Sequence, residues 1–211
     1  CAKSALLLGP GLGQSACAAE LLAAALASAP PLPLVLDADG LNLSARLGLY
    51  ALSERAAQGK ALVLTPHPKE AARLLGVEVE EIQADRFAAA RRLAKESGAV
   101  VVLKGARTLV AAPEGPLWLV PYGDSALAKG GTGDVLAGLI GALLAQGMKT
   151  CEAAVLGAVA HALAGERCGL LFGTRGVLAS EVADALGLLW ACWERGENVA
   201  CRFDADFEEL S

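Results

Sequence analysis

KGGTGDVLAG, residues 129–138, is the stretch on which the reading of this chain turns. Gly130, Gly131 and Gly133 carry no side chains that would obstruct the backbone N–H groups. The residues after them are apolar, and a helix is expected over 134–146, beginning near Gly133. Its unpaired N–H groups and positive dipole end then face the loop. That arrangement is an anion cradle. Asp134 falls in the first helical turn. A carboxylate there either partners the helix dipole or acts as a base beside a bound phosphate, and the glycines in front of it favour the base. A Walker A loop is excluded, because no G-x-x-x-x-G-K-[ST] occurs.

Upstream, short apolar runs alternate with helical patterns. Ser4–Leu8, Pro33–Leu36, Ala61–Leu64 and Ala99–Leu103 read as buried strands. Helices are expected over Ser15–Ala29, in short pieces through Arg55, and from Pro68 to near Gly76. Val79–Ser97 reads as one helix with Ile82, Phe87, Ala90 and Leu93 on its apolar face. Thr108–Ala112 and Pro116–Val120 suggest a hairpin across Glu114-Gly115. Two apolar helices, Cys151–Cys168 and Val177–Trp193, follow the glycine loop, and the last fifteen residues are polar, acidic and expected to fray. Strands that are apolar on both sides indicate an α/β fold with a mostly parallel sheet and helices on both faces.

The polar motifs sit where strands end: GPGLG (9–13), DADGLN (37–42), TPHPKE (65–70) and KGART (104–108). In such sheets ligands bind outside the carboxyl ends of the strands. GPGLG lacks the G-x-G-x-x-G dinucleotide spacing, so it is either a thin loop for close ligand approach or a tight turn into the next helix. KGART is either a turn with exposed cations or a phosphate contact. Asp37 and Asp39 both end a strand, where alternation puts them on one face, and one or the other is expected to orient ligand or metal. His67, between two prolines, is structural or a ligand contact. His161, in an Ala-rich helix, reads as a satisfied core histidine.

The bulk numbers narrow the class. The chain has 211 residues, a net charge of −5 and only 4% aromatic residues, so the core is built from Ala, Leu and Val. No dense basic stretch marks a nucleic-acid partner. Cys1, Cys17, Cys151, Cys168, Cys192 and Cys201 form no C-x-x-C pair and read as free thiols, mostly buried, in a reducing compartment. The long uncharged stretch Leu21–Leu36 is broken by prolines and too short to span a bilayer. No signal peptide is visible. A soluble, cytoplasmic protein is expected, with no membrane partner.

KGGTGDVLAGLIGALLAQG resembles the phosphate-loop signature of the ADP- or ATP-dependent NAD(P)H-hydrate dehydratases, which have a ribokinase-like fold. GPGLG, LDADGLN (36–42), LTPHPKEAARL (64–74), LKGART (103–108) and RGVLASEVADAL (175–186) match in the same order, over about residues 4–189. The resemblance implies repair of NADHX and NADPHX, the hydrated reduced nicotinamide cofactors. A nucleotide phosphate is transferred to the hydrate hydroxyl and then eliminated, with ADP or ATP as co-substrate and Mg²⁺ as cofactor. Asp134 would be the general base and also touch substrate. Lys104, Gly105, Ala106, Arg107 and Thr108 match one nucleotide-binding segment. Asp124, Ser125, Ala126, Leu127, Ala128, Lys129, Gly130, Gly131, Thr132 and Gly133 match a second. Gly11 and His67 would contact the hydrate. Glu70, otherwise a helix cap, is a candidate for holding Mg²⁺ through water. A homo-oligomer, by resemblance a tetramer, is implied.

Departures from the family pattern bear on the expectation. Asp124 stands where many relatives have Asn, and an extra carboxylate repels phosphate unless Mg²⁺ or Lys129 offsets it. Ala126 replaces a common glycine. Relatives carry a further segment ahead of GPGLG, so residues 1–189 are read as an N-terminally incomplete dehydratase domain and 190–211 as a tail. Two other readings stay open: a vitamin- or thiazole-type kinase of the same fold, and a non-catalytic nucleotide-binding relative.

Overall fold

The computed structural model describes residues 4–27 and 32–197. Cys1, Cys201, the Pro30-Pro31 helix stop and the tail beyond 197 lie outside the described residues. The chain divides into two units. One comprises the described residues of Cys1–Pro121 with Leu136–Ala158, the other those of Tyr122–Val135 and Val159–Ser211.

The first unit holds the sheet. The apolar runs form β1 (Leu6–Leu8), β2 (Leu34–Leu36), β3 (Leu62–Leu64) and β4 (Val100–Leu103), which pair parallel in sequence order. β5 (Leu109–Ala111) and β6 (Leu117–Leu119) extend the sheet antiparallel, as the hairpin pattern predicts. Leu34, Leu36, Leu64, Val101 and Leu103 point to one face and join one apolar cluster. Val35, Val63, Val102 and Val110 point the other way and are equally buried. Covering on both faces is what a continuous apolar strand needs, because neither set of side chains tolerates water.

Helices α1 (Ala16–Ala27), α2 (Ala38–Leu47), α3 (Leu49–Ala57) and α4 (Pro68–Leu75) connect the strands. Gly76, in the left-handed region at φ 65°, closes α4. The expected helix Val79–Ser97 is two: α5 (Val79–Ala84) and α6 (Arg86–Ser97). Asp85 breaks the run, because its non-helical backbone and its carboxylate, which accepts the Ala88 amide at 2.9 Å, start a new helix. Phe87, expected on the apolar face, is 51% exposed; α6 buries Ala90 and Leu93 without it. Arg55 is fully buried, and its two terminal nitrogens are satisfied while its Nε finds no partner among the described residues. Arg55 donates to the carbonyls of Ala25, Leu26 and Leu32, tying the end of α1 to the start of β2.

The remaining helices are α7 (Thr132–Ala145), α8 (Thr150–Gly176) and α9 (Ala179–Glu194). Within the first unit a Cβ on Gly157 would lie 2.7 Å from Ile140, so α7 and α8 pack closely there. In the second unit Ala126, Ala164, Cys168, Val177, Val182 and Ala185 form the core. α8 is long and apolar enough to cross a bilayer, but 56% of its most apolar window is buried and it leaves helical geometry at Gly173. It is therefore a core helix. The expectation of mostly buried thiols needs correction: Cys168 is buried, Cys151 and Cys192 are half-buried, and Cys17 is exposed beside the inward positions Ala18 and Leu22.

Candidate active site

In the first unit the carboxyl ends of β1 to β4 bring four strand-end motifs together. Gly9 (φ 136°) lies so near the next strand end that a Cβ would fall 1.6 Å from the Asp37 carbonyl oxygen. The first glycine of GPGLG is thus required by backbone approach. Gly11 (φ 65°) faces open space, and the Gly13 amide donates to Asp39 Oδ2 at 3.0 Å. The expectation that Asp37 and Asp39 alternate at a strand end is not met. Asp37 precedes α2 and Asp39 lies in its first turn, so they face different neighbours. Asp39 receives Gly13 and Gln14, whereas Asp37, 1% exposed, takes Lys104 Nζ at 2.6 Å.

Glu70 joins the same charge group. Its Oε2 lies 3.9 Å from Lys104 Nζ and accepts the His67 amide at 2.8 Å. In return His67 Nδ1 accepts the amides of Lys69 and Glu70, closing a capping box at the start of α4. An accepting Nδ1 places the proton of the neutral imidazole on Nε2. Burial and then the Lys104 charge push the His67 pKa down, which keeps the ring neutral. Burial pushes the Glu70 carboxyl up, against the pull of Lys104. The cap reading of Glu70 and the structural reading of His67 are therefore present in the fold. The His67 side chain still keeps 44% exposure.

Lys104 opens the KGART loop, but its ammonium turns into the carboxylates and its amide donates to Pro66 O. Gly105 (φ 147°) and Arg107 (φ 59°) hold left-handed backbone, and Thr108 Oγ1 lies 3.4 Å from Gly105 O. Arg86, at the start of α6, grips this loop from behind. It donates to Ala106 O at 2.6 Å and Leu103 O at 3.2 Å. An open cleft of about 280 Å³ borders the loop, lined by Asp85, Arg86, Phe87, Ala106, Arg107 and Leu119 among others.

In the second unit the glycine loop is held by side chains turned away from its open side. Asp124 Oδ1 accepts the Ala126 amide at 2.8 Å and caps a single 3₁₀ turn, Ser125–Leu127. Ala126 is wholly buried, so its side chain belongs to the core. Lys129 donates to Arg175 O at 3.1 Å. Thr132 Oγ1 lies 2.7 Å from Leu127 O and 2.9 Å from Lys129 O. His161 Nε2 donates to Thr132 O at 2.8 Å and is buried, as expected of a core histidine. Ser125, Ala128 and Gly130 are exposed. Gly131, at φ 88°, precedes the helix directly. The first helical bond of α7 runs from Val135 N to Gly131 O, so the amides of Thr132, Gly133 and Asp134 have no acceptor within the helix. Asp134 lies exposed in that first turn.

Sequence reasoning missed Gly165, Gly169 and Glu166. A Cβ at Gly165 would meet Leu127 at 2.4 Å and one at Gly169 would meet Asp124 at 2.6 Å, so both glycines admit the loop. Glu166 accepts the Gly123 amide at 2.6 Å. The i, i+4 glycine pair in an apolar helix was the available signal. No group of three His, Cys, Asp or Glu able to hold a metal occurs among the described residues. With Glu70 committed to the cap and to Lys104, the described side chains do not make a Mg²⁺ cage.

The profile of the NAD(P)H-hydrate dehydratase family matches residues 2–187. The chain is 46% identical over 187 residues to the ADP-dependent (S)-NAD(P)H-hydrate dehydratase of Neisseria meningitidis, covering 86% of this chain and 61% of that one. The ADP/ATP-dependent NAD(P)H-hydrate dehydratase of Bacillus subtilis, co-crystallised with ATP/Mg²⁺, superposes with a TM-score of 0.76 at 34% identity, over 89% of this chain and 64% of that chain. A ribokinase-like superfamily protein of Enterococcus faecalis gives a TM-score of 0.73 at 31% identity, over 87% and 61%. The chain thus spans less than two thirds of the length of these proteins.

Proposed function

The chain belongs to the NAD(P)H-hydrate dehydratase family, and on that premise we propose that the protein restores NADH and NADPH from their S-form hydrates, using ADP or ATP. Hydroxide is a poor leaving group and phosphate is a good one. The terminal phosphoryl group of the nucleotide passes to the hydrate hydroxyl, and loss of inorganic phosphate with a ring proton returns the dihydronicotinamide. The observation that carries this reading is the exposed Asp134 carboxylate in the first turn of α7, directly after a glycine loop whose end amides have no helical acceptor.

In this reading Asp134 removes the hydroxyl proton as general base. The amides at 131–133 stabilise charge on the transferred phosphoryl group, aided by the helix dipole. The nucleotide is received by residues 104–108 and by the backbone of 124–133. The half-buried Lys104 is held by Asp37 and Glu70 at the root of residues 104–108, its charge already answered there. Gly11 and the His67 Nε2–H meet the hydrate. Mg²⁺ arrives on the nucleotide phosphates. A cytoplasmic homo-oligomer, tetrameric by family likeness, completes the proposal; exposed Leu170, Leu171 and Phe172 offer apolar surface for assembly, which light scattering would count.

The test is a coupled assay with ADP or ATP, Mg²⁺ and S-NADHX. NADH absorbance should rise with one phosphate released per NADH. Phosphorylation of vitamin-like alcohols instead would point to a kinase. Nucleotide binding without either reaction would point to a non-catalytic relative.

A further inference from the structure

Arg86 is a cation at the first residue of α6, the end where the helix dipole disfavours positive charge. Nothing in the helix explains it. Its guanidinium instead reaches the start and middle of the KGART loop. Nη1 donates to Ala106 O at 2.6 Å, and Nη2 lies 3.2 Å from Leu103 O and 3.4 Å from Lys104 O. One planar fork thus meets three carbonyls within four residues of backbone, which a lysine cannot do in the same planar geometry. Its Nε finds no partner among the described residues, so the fork is placed for the loop and not for its own full satisfaction. The loop is shaped around it in turn. A Cβ on Gly105 would fall 2.8 Å from Nη2, and Gly105 and Arg107 hold left-handed backbone that needs outside support. Asp85 fixes the root of Arg86 by capping α6.

We infer that Arg86 is a positioning residue for the nucleotide: it holds residues 104–108 in the conformation that receives ADP or ATP without touching the nucleotide itself. This rests on the assignment of residues 104–108 to nucleotide binding. Without the fork, the carbonyls of Leu103, Lys104 and Ala106 are free to rotate, and the backbone a nucleotide would meet is no longer set in advance.

The test compares the wild-type protein with Arg86→Gln and Arg86→Lys by amide hydrogen exchange and by titration with ATP/Mg²⁺ and with hydrated NADPH. Arg86→Gln should speed exchange at 104–108 while β2 and β3 keep theirs. It should weaken ATP/Mg²⁺ about tenfold, on the order of one charged hydrogen bond, and leave hydrate affinity unchanged. Arg86→Lys should fall between, and it serves as the reading variant if the glutamine protein does not fold. Unchanged exchange at 104–108 would overturn the brace. Faster exchange with unchanged ATP affinity, or equal loss of both ligands, would overturn the positioning role. If the wild-type protein binds no ATP/Mg²⁺, the nucleotide assignment falls with its consequence, and exchange alone decides whether Arg86 holds the loop.

Discussion

Two polar regions of this chain are built on opposite plans. In the strand-end cluster of the first unit, charged side chains answer one another: Lys104 sits between Asp37 and Glu70, and His67 and Glu70 cap α4 reciprocally. In the glycine loop of the second unit, the side chains of Asp124, Lys129 and Thr132 are spent on loop backbone and on Arg175, leaving amides and one carboxylate outward. The first is a prepaired charge group in which Lys104 offsets part of the cost of burying Asp37 and Glu70. The second is a loop whose helix-start amides at 132–134 have no acceptor within the helix. A charged residue in a binding motif therefore need not be a ligand contact. Here most of them hold the scaffold that presents backbone.

The comparison can be broken at several points. The largest effect is expected at Gly9→Ala, where a Cβ would overlap the Asp37 carbonyl and φ is 136°; the protein should fail to fold, as judged by loss of a cooperative melt. Lys104→Met leaves two buried carboxylates without their cation and should cost about 3 kcal/mol in urea unfolding. Adding Asp37→Asn to it should recover part of that loss, because the pair is coupled. Full additivity would mean that the ion pair contributes nothing.

Gly165→Ala tests the second plan. Its Cβ would press on Leu127, under the loop, and should cost about 2 kcal/mol by overpacking, with weaker ATP binding if the loop shifts. The smallest effect concerns His67→Asn. The pKa of His67 lies below its ordinary value, so its contribution is present above about pH 6.5 and is lost as pH falls through the lowered value. The proton would enter Nδ1, which accepts two amides. Wild type should therefore lose melting temperature between pH 7 and 5 more steeply than His67→Asn, whose amide still caps. Parallel curves would remove His67 from the acid response.

Much of this was legible in the chain. The strands are uninterrupted Leu/Val runs, and TPHPKE carries proline at the first helical position and glutamate at the third, the marks of a capped start. The start of a helix directly after the glycine loop was readable from residue types alone. What was hidden is pairing at long separation. Lys104 and Asp37 lie 67 residues apart, so a loop lysine looks free to meet phosphate when it is already neutralised. Arg55 and Arg86 are ordinary helix-surface residues by period, and only the fold reveals that they serve carbonyls at strand and loop ends. The break at Asp85 was missed because the apolar period runs on across it, while a single capping carboxylate decides the boundary.

The most direct test of the central claim is Asp134→Asn. The cradle at 131–133 is backbone and survives the change, while the base is lost. The account predicts ATP/Mg²⁺ binding within about twofold of wild type, and NADH restoration from S-NADHX reduced about 10³-fold, the scale of a lost general base. Near-normal NADH formation by that variant would contradict it.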